Sequence, residues 1–185
     1  TTVDERVAGG GVFLVGAARR LRELLPGDMS EQARHRFLVD RIRGDEIEPF
    51  AREVAALSLI LADYPNENGW IVSTVDLFEN DRLKERATGA KIVLCNPPFE
   101  KFTARERSLY PEAVARSPRK PIAALSAVLD AQPSAIGFVM PEPFIDGAHY
   151  RFTRTRLHQL SKDIEIIELP YRIFQASCIR SYLYI

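Results

Sequence analysis

Residues 91–95 (Lys-Ile-Val-Leu-Cys) form a short, largely β-branched apolar run that stops at Asn96-Pro97-Pro98-Phe99. Such a run reads as a buried parallel strand. Two successive prolines donate no backbone N–H and fix φ, so the chain must leave the sheet in a rigid, extended loop. Open α/β sheets place their ligand sites just beyond the carboxyl ends of their strands. A loop there has the Asn96 side-chain carbonyl and the Pro97 backbone carbonyl as acceptors. Converging on an exocyclic NH2, they would hold both hydrogens and turn the nitrogen lone pair outward. Phe99 adds a flat apolar face against which a planar group can stack.

The rest of the chain supplies the sheet that this loop needs. A strand tail over residues 1–5 is followed by Gly9-Gly10-Gly11 and a helix of roughly 12 residues that ends at Pro26-Gly27. Glycines let the backbone of such a turn approach a ligand that also meets the helix N-terminus. A polar helix is predicted over residues 29–37, capped by Asp28 or Ser30. A strand follows over residues 38–44, then a helix that opens at Pro49 and carries Phe50, Val54, Leu57, Ser58 and Leu61 on one face. Residues 70–75 read as a third strand ending at Asp76-Leu77-Phe78, and residues 79–90 as a short charged helix and turn. Glu46, after the second strand, is placed where nucleotide folds hold ribose hydroxyls; Asp45, Glu46 and Glu48 also suit a helix N-terminus. Asp76 reads equally as a helix cap.

Residues 101–120 are the least regular stretch, with six Lys and Arg against two Asp and Glu. They read as a mobile flap over phosphates or as a solvated connection. A helix over residues 121–131, a strand over 134–140, a basic helix over 147–160 and strands over 163–169 and 178–185 complete the pattern.

Length and composition set the bounds. The 185 residues suit one doubly wound domain, and the formal net charge is zero. Residues 101–185 hold twelve Lys and Arg against eight Asp and Glu, a slight basic excess in the later half. No apolar run is long enough to span a membrane and no signal peptide is visible. Cys95 and Cys178 are the only cysteines, which fits a reducing, cytoplasmic compartment and offers no metal site.

Asn96-Pro97-Pro98-Phe99 at a strand end resembles motif IV of the S-adenosylmethionine-dependent amino-methyltransferases. The Phe form is similar to that of the N6-adenine DNA methyltransferases of restriction–modification systems. Aligned on Phe13, the glycine turn resembles motif I, with Glu5 at the acidic position and Gly9 and Gly11 at the glycines. Arg6, Val7 and Ala8 stand where Pro, Ala and Cys are usual. Gly44, Glu46 and Pro49 match the Gly-x-Glu-x-x-Pro pattern, and Asp76 with Phe78 resembles motif III. Phe174 corresponds to the motif VIII aromatic.

The resemblance covers almost the whole chain and implies a doubly wound, Rossmann-like α/β sheet of seven strands, mostly parallel with an antiparallel last strand. Residues 1–185 would be a methyltransferase catalytic domain, shortened at its N-terminus and without a target recognition domain. The implied activity is methyl transfer from S-adenosylmethionine to adenine N6 in DNA, within restriction–modification or phage defence and without a metal. Asn96, Pro97, Pro98 and Phe99 would form the catalytic motif, Asn96 and Pro97 holding the amine, and Phe99 and Phe174 would clamp the flipped adenine of double-stranded DNA. Glu5, Gly9, Gly11, Phe13, Glu46, Asp76 and Phe78 would hold the cofactor. A specificity or restriction subunit or domain is an implied partner. An RNA or protein-glutamine amino-methyltransferase and a non-catalytic DNA-binding or assembly fragment are the competing readings.

Overall fold

A computed structural model describes residues 2–66, 68–170 and 180–185. In chain order the elements are β1 (Val3–Arg6), α1 (Val12–Leu24), α2 (Glu31–Val39), β2 (Ile42–Glu46), α3 (Pro49–Ala62), β3 (Ile71–Thr74), α4 (Arg82–Ala87) and β4 (Ile92–Cys95). Then come α5 (Ala104–Leu109), α6 (Pro111–Arg116), α7 (Lys120–Ala131), β5 (Ala135–Pro141), α8 (Pro143–Asp146), α9 (Arg151–Leu160), β6 (Ile166–Glu168) and β7 (Ser181–Tyr184).

The strands form a seven-stranded sheet in the order β3-β2-β1-β4-β5-β7-β6. The β1–β2, β1–β4 and β2–β3 pairs are parallel, and β7 runs antiparallel to both β5 and β6. The mostly parallel sheet with an antiparallel last strand is therefore as expected. The chain divides into two compact units, Thr1–Leu77 with Ala90–Cys95, and Phe78–Gly89 with Asn96–Ile185.

In the first unit, Leu14 and Ala18 of α1, Leu38 of α2, Ile42 of β2 and Ala55 and Leu59 of α3 form the buried core. Each large aliphatic side chain buried in this way contributes about 1.5–3 kcal/mol. Ser30 caps α2, its hydroxyl accepting from the Ala33 N–H at 3.3 Å, and Pro49 occupies the first turn of α3.

One sequence expectation shifts here. Residues 38 and 39 complete α2 rather than open a strand, because Leu38 points into the core from the capped helix; β2 starts at Ile42. On α3, Phe50, Leu57 and Leu61 share one face as expected, and that face is exposed, at 74%, 57% and 69%. The opposite side places Ala55 and Leu59 in the core, with Ala55 at the close approach of Gly11. A Cβ on Gly11 (φ 77°) would lie 2.9 Å from both the Cα and the Cβ of Ala55. Glycine is required there on both counts.

In the second unit, Phe102, Ala113 and Ala123 are buried together, with Phe78, Tyr110 and Val114 packed against them. α7 is buried along most of its length, from Ile122 to Leu129. The stretch expected to be irregular instead forms α5 and α6. α5 opens with a complete capping box between Thr103 and Glu106, a pattern legible as Thr-x-x-Glu. No helix among the described residues is long and apolar enough to cross a membrane.

Candidate active site

The parallel ladders align Arg6 with Asp45 and with Cys95, and Glu46 with Thr74, so β1, β2, β3 and β4 end at one edge of the sheet. Beyond β1 the chain alternates into left-handed backbone at Val7 (φ 66°), Gly9 (φ 50°) and Gly11 (φ 77°). A β-branched residue in that region costs on the order of 1–3 kcal/mol, a strain typical of ligand-binding turns. The turn is pinned by the Ala8 N–H donating to the Asp45 carbonyl at 2.9 Å and the Gly11 N–H to the Ala8 carbonyl at 2.7 Å. A Cβ on Gly9 would meet nothing within 4 Å, so the backbone there faces open space.

Two buried carboxyls brace this turn. Glu5 accepts from the Leu14 N–H at 2.9 Å, satisfying a first-turn donor of α1, whose N-cap Gly11 has no side chain to do so. Burial pushes the Glu5 pKa up to about 8; bonds from the Leu14 and Phe13 N–H groups oppose the rise, and the charge of Glu46 adds to it. Glu46 accepts from the Gly9 N–H at 2.6 Å on one oxygen, and from the Ile47 and Glu48 N–H groups at 2.9 and 3.0 Å on the other. Its second oxygen is therefore fully used, and its first keeps one lone pair. Asp76 follows β3 and is half-buried, and Phe13 is half-buried in the first turn of α1.

Arg6, the departure from the motif I pattern, is buried. It pairs with Asp4 at 3.0 Å and with Asp45 of the neighbouring strand. Sequence reasoning missed this triad because its partners belong to different strands; the only signal was a basic residue in an otherwise acidic strand end. Its consequence is local, since an unpaired buried guanidinium would destabilise the edge that carries the turn.

In the second unit, Asn96, Pro98 and Phe99 are half-buried and Pro97 is buried. The Asn96 side chain makes no hydrogen bond to any described residue, which leaves its amide available to a ligand. The loop's exit is tied down. The Lys120 N–H donates to the Glu100 carbonyl at 2.9 Å, and the Phe102 N–H to the Pro118 carbonyl at 3.0 Å. The Lys120 ammonium pairs with Glu106 at 2.8 Å and with Glu100 at 3.2 Å. Glu106 has its pKa lowered to about 2, first by the Lys120 hydrogen bond and then by its bonds with Thr103. No sequence signal singled out Lys120. Phe78 packs edge-on against Phe102, with ring centroids 5.0 Å apart, so this proposed cofactor contact is also a core residue of its unit. Phe174, the other proposed base clamp, lies outside the described residues.

A groove of about 560 Å³ between α1 and α3 is lined by Gly10, Gly11, Val15 and Leu61 among others. Neither Glu46 nor Asp76 lines it. No group of three or more His, Cys, Asp and Glu that could hold a metal occurs among the described residues.

The DNA-bound ATP-dependent type ISP restriction-modification enzyme LlaBIII matches with a TM-score of 0.74 at 17% identity, over 100% of this chain and 16% of that one. The fold is a methyltransferase fold. A type I restriction-modification methyltransferase subunit from Streptococcus thermophilus matches with a TM-score of 0.65 at 20% identity, over 99% of this chain and 38% of that one. A Listeria monocytogenes protein described as a class I S-adenosylmethionine-dependent methyltransferase gives 0.63 at 14% identity, over 99% of this chain and 52% of that one. The chain thus spans only part of each of these proteins. No family model matches the sequence, and no curated protein does.

Proposed function

We propose that this chain is the catalytic domain of a DNA methyltransferase of restriction–modification type, transferring a methyl group to adenine N6. The observation that carries this reading is the departure point of the Asn-Pro-Pro-Phe loop. β4, which leads into this loop, ends at Cys95, the ladder partner of Arg6 on the strand that leads into the glycine turn. The methyltransferase fold and the DNA-bound state of LlaBIII support the same reading.

The residues of the turn fit S-adenosylmethionine. Gly9 opens onto free space, and Glu46 keeps a lone pair for a ribose hydroxyl. A grip on both ribose hydroxyls would need the Gly9 N–H to release its bond to Glu46. Asp76, at the end of the next strand but one from β1, would accept from the adenine amino group of the cofactor, with Phe78 along its ring. The cofactor supplies an electrophilic methyl group on a sulfonium, which needs no further activation.

What remains for the chain is placement. Asn96 Oδ1 and the Pro97 carbonyl accept the two N6 hydrogens of the substrate adenine and aim the lone pair. With the methyl donor bound, the adenine nitrogen would take up the methyl group while the donor leaves as its neutral thioether, and the surplus N6 proton would pass to water. Phe99 stacks on the extruded base, with Phe174 as its partner.

Labelled S-adenosylmethionine offered with duplex DNA, RNA and a glutamine-bearing protein tests this. N6-methyladenine in DNA is the expected product. Label on RNA or glutamine would transfer the same loop chemistry to another substrate, and the absence of both transfer and cofactor binding would make the chain an assembly module.

A further inference from the structure

We infer that a basic path, running from the exit of the Asn-Pro-Pro-Phe loop to the first turn of α9, holds the phosphate backbone of duplex DNA. The inference rests on the DNA reading above and names the surface of the second unit that would carry it. Lys101, two residues after Phe99, pairs with Arg119 in an isolated antiparallel bridge. The Arg119 guanidinium lies over the Tyr150 ring, 5.5 Å from its centroid. Tyr150 leads directly into Arg151, the first residue of α9. Lys101, Arg119 and Arg151 are therefore linked through successive contacts within one unit.

Charge pairing separates these three cations from many of their neighbours. Lys120 is neutralised by Glu100 and Glu106, and Arg116 and Arg156 share Asp130. Arg154 donates to the carbonyls of Phe144 and Gly147, both at 2.9 Å. Lys101, Arg119 and Arg151 pair with no carboxylate among the described residues. Residues 147–162 contain no acidic residue at all. Beside Arg151, Phe152 is 80% exposed. A patch of cations without carboxylate partners is the electrostatic footprint of nucleic-acid binding. Stacking on Tyr150 also orients the fork of the Arg119 guanidinium, which suits phosphate oxygens. Because the path begins at the loop that would receive the base, it would engage the backbone flanking that base.

The test is duplex-DNA binding followed by fluorescence anisotropy across a salt series. Lys101 and Arg151 are both exposed, so the double variant Lys101→Gln/Arg151→Gln is expected to fold normally. The slope of log K against log salt should become shallower by about 2, since two phosphate contacts are lost. S-adenosylmethionine affinity, measured by calorimetry on the same sample, should be unchanged. Phe152→Ala removes no charge and should leave the slope unchanged. An unchanged slope in the double variant, with normal binding by the unaltered protein, overturns the path and leaves the DNA reading standing. If the unaltered protein binds no duplex DNA, both fall; tighter binding to RNA with the same slope change overturns the duplex assignment.

Discussion

The glycine turn of the first unit and the loop exit of the second are held in place by opposite means. Around the turn, carboxyls are buried and answered by backbone N–H groups: Glu5 by Leu14, and Glu46 by Gly9, Ile47 and Glu48. At the loop exit, the Lys120 ammonium meets the more exposed carboxylates of Glu100 and Glu106. Burial raises the pKa of Glu5, while Lys120 and the capping box lower that of Glu106. The two regions should therefore loosen at opposite ends of the pH scale. Between about pH 4.5 and about 8 the folded state holds a proton on Glu5 that the unfolded chain has lost, so this contribution to stability fades as pH rises. For Glu106 the folded state has lost the proton first, so its contribution fades as pH falls from about 4.5 to about 2.

The largest expected effect is at the sheet edge under the turn. Asp45→Ala removes a carboxylate partner from the buried Arg6 and should cost about 3–5 kcal/mol in urea unfolding. A cost below about 1 kcal/mol would mean that the remaining surroundings of Arg6 suffice. Gly11→Ala comes next, adding both a left-handed alanine and a clash with Ala55, and about 2–3 kcal/mol is expected. Glu5→Gln keeps a carbonyl for the Leu14 N–H but cannot titrate. Melting temperatures of the unaltered protein should fall relative to this variant between pH 5 and 8, and parallel curves would remove Glu5 from the account. The smallest effect belongs to the loop exit. Glu106→Gln should cost less than about 1 kcal/mol, and added salt should shrink the difference.

The same contrast governs what the sequence could reveal. Asn-Pro-Pro-Phe, the glycine turn, the Ser30 cap and Pro49 are local signals, and each lies in the structure where local rules place it. The Arg6–Asp45 pair depends on strand register, and the Lys120–Glu106 pair on a fold-back between α5 and α7, so neither could be read from neighbours in sequence. The periodicity of Phe50, Leu57 and Leu61 is incomplete for a related reason. A regular apolar stripe marks a face, but only the close approach of Gly11 to Ala55 decides which face points inward.

Whether Asn96 orients an amine for a cofactor held by other residues is decided by one paired measurement on Asn96→Ala. Methyl transfer to duplex DNA and S-adenosylmethionine binding by calorimetry are followed on the same preparation. Transfer should fall by at least about a hundredfold, the scale for loss of an orienting or electrostatic contact in the transition state, while cofactor affinity stays within about twofold. Transfer that survives the substitution, or an equal loss of transfer and cofactor affinity, would contradict it.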